Sequence, residues 1–161
     1  MAVEKSFSAD DLIVSKTDTR GVITYGNELF IQMSGYSEEE LLGAPHNLIR
    51  HPDMPRAVFK LLWETLATRQ EVFAYVKNLA RDGSFYWVLA NVTPSYDLKG
   101  EVIGYHSVRR KPDAEALKSV KPLYKQMIEA EQSGGVEAGT KVLTDLLQTK
   151  GVSYEEFILS L

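Results

Sequence analysis

The chain has 161 residues, 44% of them apolar and 25% charged, with a net charge of −4 at pH 7 and no cysteine. These values suit one globular domain with room for an extension, and they argue against disorder, a fibre or a nucleic-acid partner held by overall charge. The missing thiols exclude disulfides, thiolate-held iron–sulfur clusters, zinc knuckles and any cysteine nucleophile or flavin–cysteinyl adduct.

Residues 1–10 read as a polar leader without an apolar signal core, and no apolar run approaches the ~20 residues that span a bilayer. A cytoplasmic protein without direct membrane insertion is expected. Residues 12–15 and 22–25 form strands joined by the DTRG turn, a β-hairpin. Asn27 can cap a helix through Leu29, Phe30 and Met33 that Gly35 stops. Ser37 and Glu40 have capping-box spacing and open a short helix ended by Gly43. Pro55 suits the first turn of the next helix, with Asp53 as its expected cap and Val58, Leu61, Leu62, Thr65 and Leu66 as its buried stripe.

Three strand-like runs follow at residues 72–79, 84–96 and 101–110, joined by the RDG and DLKG turns, so an antiparallel meander is expected. The order ββ, helical pieces, βββ gives an α+β domain over residues 11–111, with a five-stranded antiparallel sheet carrying helices on one face. Residues 112–161 read as a C-terminal helical extension. A helix over 114–131 is kinked or restarted at Pro122, SGG at 133–135 breaks it, a short helix runs over 141–148, and Ser153 caps a last one.

Between the second and third helices lies PHNLIRHPDMP, residues 45–55, with three prolines, two of the three histidines and apolar residues in neither helical nor strand period. The prolines restrict it, so its polar side chains lose little entropy on ordering. Nothing in the chain has a nucleophile elbow or HExxH spacing, and Glu38, Glu39 and Glu40 read as a solvated helix start, so no enzyme is expected.

The element order is that of a PAS sensor domain. GVITYGNELFIQMSGYSEEELLG, GAPHNLIRHPDMPRAVF, VKNLARDGSFYWVLANVTP and GYHSVRR resemble the FAD-binding PAS domains of bacterial aerotaxis receptors. The resemblance implies a redox or oxygen sensor for energy taxis that binds FAD non-covalently. It would act as a stand-alone soluble subunit that docks onto a chemoreceptor transducer. It also implies that Asn78, before the xxxDG turn, contacts the isoalloxazine edge, where an amide both donates and accepts.

With Asn78 as anchor, strand alternation puts Val76 on the cofactor face, and the same resemblance implies that face for Tyr86, Val88, Ala90, Val92, Tyr105, Ser107 and Arg109. Arg109 falls where light-sensing relatives keep a glutamine, and it reads either as a positive charge beside the ring or as a salt bridge at the strand end. Asn47, Arg50 and His51 are expected at the FAD pyrophosphate or ribose. Val72 replaces the Trp usual in aerotaxis receptors, and Trp63 can substitute for it or be core.

The opposite face carries Phe73, Tyr75, Trp87 and Leu89, for a homodimer or transducer interface or for cover by the chain's own termini. Haem is the rival cofactor, with His51 or His46 as axial ligand, and a cofactor-free dimerisation module is the third reading.

Overall fold

A computed structural model describes residues 2–161. Strands β1 (Ile13–Thr17), β2 (Ile23–Gly26), β3 (Val72–Leu79), β4 (Phe85–Tyr96) and β5 (Val102–Arg110) form one sheet in the order β2-β1-β5-β4-β3. Every neighbouring pair is antiparallel. Helices α1 (Glu28–Ser34), α2 (Glu38–Leu41) and α3 (Arg56–Ala67), with a 3-10 turn at His46–Ile49, are inserted between β2 and β3. The expected α+β PAS architecture is the observed one.

Local chemistry explains the first half. In the β1–β2 turn the Asp18 carboxylate accepts from the peptide N–H groups of Arg20 and Val22. Asn27 caps α1 by accepting from Phe30 N–H, and the same oxygen accepts from Val14 N–H, which ties the helix start to β1. The capping box of Ser37 and Glu40 forms as expected.

The N-terminal residues are not a loose leader. Lys5 N–H donates to Phe85 O at 2.7 Å and Phe85 N–H donates to Val3 O at 2.9 Å. β5 reaches β4 only from Leu89 onward, so the edge of β4 at Phe85 lacks a strand neighbour there, and residues 3–5 satisfy it.

Helix α3 is capped differently from expectation. Its N-cap position is Pro55, which has no side-chain bond, and Asp53 instead pairs with Lys77 at 2.8 Å. The first peptide N–H groups of α3, from Arg56 and Ala57, donate to the buried carboxylate of Glu131 at 2.9 and 3.0 Å. Glu131 comes from α4 (Ala114–Lys150), the long helix that follows the sheet. A carboxylate at a helix N-terminus meets both unsatisfied donors and the positive end of the dipole.

Helix α4 runs through Pro122 and is interrupted by Gly135, at φ 73° and ψ −167°. The expected break at SGG is thus a single-residue kink, with helix on both sides and a longer second half than the sequence suggested. Helix α5 (Tyr154–Leu159) follows, capped by Ser153.

Strand register places Val76 opposite Val88, Asn78 opposite Tyr86 and Arg109 opposite Ala90, so the expected inner face is observed. On the outer face Tyr124 of α4 donates its hydroxyl to Tyr75 O at 2.6 Å, and its ring packs against Trp87 at 6.0 Å. Tyr75 and Trp87 are therefore buried, and Phe73 and Leu89 half-buried. Of the two roles expected for this face, an interface or cover by the chain's own termini, α4 supplies cover at Tyr75 and Trp87, and a partner reaches those two only if the helix moves. Val120 and Met127 of α4 are fully buried, each contributing about 1.5–3 kcal/mol of apolar burial.

Candidate functional site

A cavity of about 350 Å3 lies between the inner face of the sheet and the helical side. Its sheet wall comes from Ser15 and Thr17 of β1, Val76 and Asn78 of β3, Ala90 and Val92 of β4, and Tyr105, Ser107 and Arg109 of β5. The opposite wall comes from residues 45–50, including His46, Asn47 and Arg50, and from Phe59, Leu62 and Trp63 of α3. The volume falls in the range of small-molecule sites, about 300–1,000 Å3.

Nine of the eleven expected site residues meet here: Asn47, Arg50, Trp63, Val76, Asn78, Ala90, Tyr105, Ser107 and Arg109. The other two lie elsewhere. Val88 points to the same face but is fully buried in the core. His51 lines a second, outer cavity, with its ring edge-on to Phe85. Trp63 is 44% exposed and meets Tyr105 edge-to-face at 5.2 Å, so it stands at the cavity mouth. The Val72 position is filled by Leu62, Leu66, Val92 and Tyr105 packed around it.

Arg109 is buried but makes no salt bridge, contrary to one of its two expected roles. Its guanidinium donates to Ser15 Oγ at 2.7 Å and to His46 Nε2 at 3.2 Å, and lies over the Phe30 ring at 4.8 Å. All three partners are neutral. Burial pushes the guanidinium down to about 10, still protonated at neutral pH. Its cation in turn helps keep His46 neutral: burial first, then the charge of Arg109, pushes the imidazole down to about 3.

This network bears on haem ligation. His46 Nε2 accepts from Arg109 and lies 2.9 Å from Ser15 Oγ, so an axial bond through that nitrogen would break the contacts that hold the guanidinium. The Nδ1 of His51 accepts from Asp53 N–H at 2.9 Å, in the outer cavity.

The wall also holds unpaired polar atoms. Nδ2 of Asn78, Nε of Arg109 and Thr17 Oγ1 are buried without a hydrogen-bond partner among the described residues; so is the hydroxyl of Tyr86, which lies opposite Asn78 on β4, outside the cavity, close enough for the amide to act on it. An unsatisfied buried donor or acceptor costs about 1–3 kcal/mol. Asn78 and Arg109 both line the cavity, so a ligand with acceptors there would remove that cost once the amide or guanidinium turns toward it. Ser15, Thr17 and His46 were not among the expected flavin contacts. The inward alternation of Ile13, Ser15 and Thr17 is the signal that places β1 on the wall.

Among the described residues no helix is long and apolar enough to cross a membrane. The profile of the PAS fold family matches residues 23–109. The chain is 40% identical to the aerotaxis receptor of Escherichia coli (strain K12) over 133 residues, 83% of this chain and 26% of the receptor. It is 36% identical to a nitrogen fixation regulatory protein of Klebsiella pneumoniae over 97 residues, 60% of this chain and 20% of that protein. The chain thus spans about a quarter of one of these relatives and a fifth of the other.

Among solved structures, the light state of the blue-light photoreceptor Aureochrome1 LOV superposes with a TM-score of 0.59 at 26% identity, covering 66% of this chain and 86% of that one. A light-oxygen-voltage domain studied with a flavin analogue superposes at 0.60 with 21% identity, covering 68% and 82%, which supports the fold alone. The sheet order, the inserted helices and the profile match over residues 23–109 together make the chain a member of the PAS fold family.

Proposed function

We propose that this PAS domain is a redox or oxygen sensor that holds FAD non-covalently and relays its state to a chemotaxis transducer by protein contact. The observation that carries the reading is Asn78 on the wall of the cavity, its Nδ2 buried without a hydrogen-bond partner among the described residues, with the cation of Arg109 on the same wall. A flavin ring edge offers the carbonyl and ring N–H groups that an amide recognises. Two of the relatives in sequence are a receptor and a regulatory protein, which fits a sensory role. The chain has no cysteine, so sensing by a cysteinyl photoadduct does not apply to it.

FAD supplies a ring whose charge and protonation change on reduction. The rest is the work of the chain. Asn78 donates to and accepts from the ring edge. Arg109, held by Ser15 and His46, keeps a fixed positive charge that favours negative charge nearby. Val76, Ala90 and Val92 exclude water from the wall, and Asn47 and Arg50 present donors at the phosphate side.

A change at Asn78 has a short path outward. Three residues before Asn78 on β3 is the backbone carbonyl of Tyr75, which accepts from Tyr124 of α4. A shift of β3 therefore alters the seat of α4, and with it how much of Tyr75 and Trp87 is exposed to a transducer or a second copy. In this reading residues 11–111 sense, residues 112–161 transmit, and the site of action is the cytoplasm.

The test is Asn78→Ala, compared with wild type for flavin retained through gel filtration and for the oxidised spectrum. Weaker retention or a shifted spectrum is expected. Identical retention and an identical spectrum would remove Asn78 from the site.

A further inference from the structure

The segment at residues 45–55 borders two cavities. The second, of about 440 Å3 and more open, lies between that segment and helix α4. Asn47 and Arg50 belong to the walls of both, so the cavities meet at these side chains. Met54 and Ile128 give the outer cavity apolar surface, and Asn47 and Gln132 give it amides.

The junction is cationic. The Arg50 guanidinium lies 4.0 Å over the Phe59 ring, which fixes its position. Glu131 also lines the outer cavity and its charge acts on Arg50, but its oxygens are turned to the peptide N–H groups of Arg56 and Ala57 and to the Arg56 side chain. Arg50 has no salt bridge among the described residues, so it can meet an anion from outside the chain. His51, on the same wall, adds a second nitrogen-bearing side chain.

An inner cavity of ring size, a cationic neck and an outer cavity with apolar surface and amides follow the order of parts in a flavin dinucleotide. We propose that the outer cavity binds the adenosine diphosphate half of FAD, so that helix α4 forms part of the cofactor site and selects FAD over shorter flavins. The pyrophosphate sits at Arg50, where a guanidinium suits phosphate oxygens. Ile128 and Met54 cover the adenine faces, and the amides of Asn47 and Gln132 meet its edge, which carries both a donor and acceptors. The inference rests on the flavin reading of the inner cavity. It adds that Ile128 and Gln132, outside the stretch matched by the family profile, contact the ligand.

The experiment is a calorimetric titration of the full-length apoprotein with riboflavin, FMN and FAD, for wild type, Ile128→Glu and Gln132→Ala, with circular dichroism melts as a check on folding. Wild type is expected to bind FAD at least about tenfold more tightly than riboflavin, with FMN, whose phosphate reaches only Arg50, in between. Ile128→Glu is expected to lose about tenfold on FAD with riboflavin unchanged, and Gln132→Ala a smaller factor in the same direction. Equal wild-type affinities for the three flavins, or variants that leave FAD binding intact or weaken all three flavins alike, overturn this inference while leaving a flavin in the inner cavity. Failure of wild type to bind any flavin overturns the flavin reading and this inference together.

Discussion

Replacement of Glu131 by alanine tests how the C-terminal helix is joined to the sensor domain. The carboxylate is only 8% exposed and accepts from Arg56 N–H at 2.9 Å and Ala57 N–H at 3.0 Å. Loss of an N-cap acceptor costs about 0.5–2 kcal/mol, and loss of a hydrogen bond to a charged group about 1.5–3 kcal/mol. The two figures describe overlapping effects, so the expected destabilisation is about 2–3 kcal/mol rather than their sum. For a chain of this size each kcal/mol lowers the midpoint by about 2–4 °C, which gives a drop of roughly 4–12 °C.

Glu131→Gln keeps one acceptor oxygen and is expected to lose about half as much. Gly139→Ala attacks the same contact from the other side, because its Cβ would stand 2.2 Å from Glu131 Oε2. Urea unfolding followed by tryptophan fluorescence is the assay, since Trp87 packs against Tyr124 of the same helix. An alanine variant within about 0.5 kcal/mol of wild type would refute the capping argument.

Further outcomes follow from the buried network and the sheet. His46 has a folded value of about 3 against an ordinary 6.5, so the unfolded chain takes up a proton at mildly acidic pH that the folded one refuses. Stability from this residue is full above pH 6.5 and falls as pH drops, by about 2 kcal/mol between pH 7 and 5. His46→Gln should remove that slope in urea titrations, and an unchanged slope contradicts the assignment.

Arg109→Met replaces a buried cation that has no acidic partner, so the apoprotein should unfold at the same or a higher temperature while bound flavin becomes harder to reduce. A lower midpoint together with an unchanged potential would show that the charge serves packing alone. Gly104→Ala would place a Cβ 2.1 Å from the backbone oxygen of Thr17, forcing β1 and β5 apart. A loss of about 3 kcal/mol or more is expected in thermal melts, and a neutral result would mean that the strands are not so closely apposed.

The sheet was legible because strand periodicity is strict. Once Asn78 was given an inward direction, alternation determined which residues of β3 share its face, the resemblance extended that face to β4 and β5, and the register bears this out. What escaped came from far along the chain. Asp53 has good local credentials as a helix cap, but the acceptor used is Glu131, about 75 residues away, and no local pattern announces it. For Arg109 the sequence left a charge beside the ring and a strand-end ion pair equally open, since arginine usually finds a carboxylate, whereas here its neighbours are a serine, a histidine and a phenylalanine ring. The cover over Trp87 and Tyr75 was foreseen only as an option, since an apolar outer face shows that something lies on it without naming what. The site residues followed the resemblance, and His51 lines the outer cavity beside Asn47 and Arg50 rather than the inner one, because spacing in a proline-rich segment does not determine which way a ring turns.

The most direct test of the central claim is the visible spectrum of the purified chain, oxidised and after dithionite, with reconstitution by FAD if it is colourless. The account predicts an absorption band at about 450 nm that bleaches on reduction, from a chromophore released intact by heat. A Soret band, or a protein that stays colourless after incubation with FAD, would contradict it.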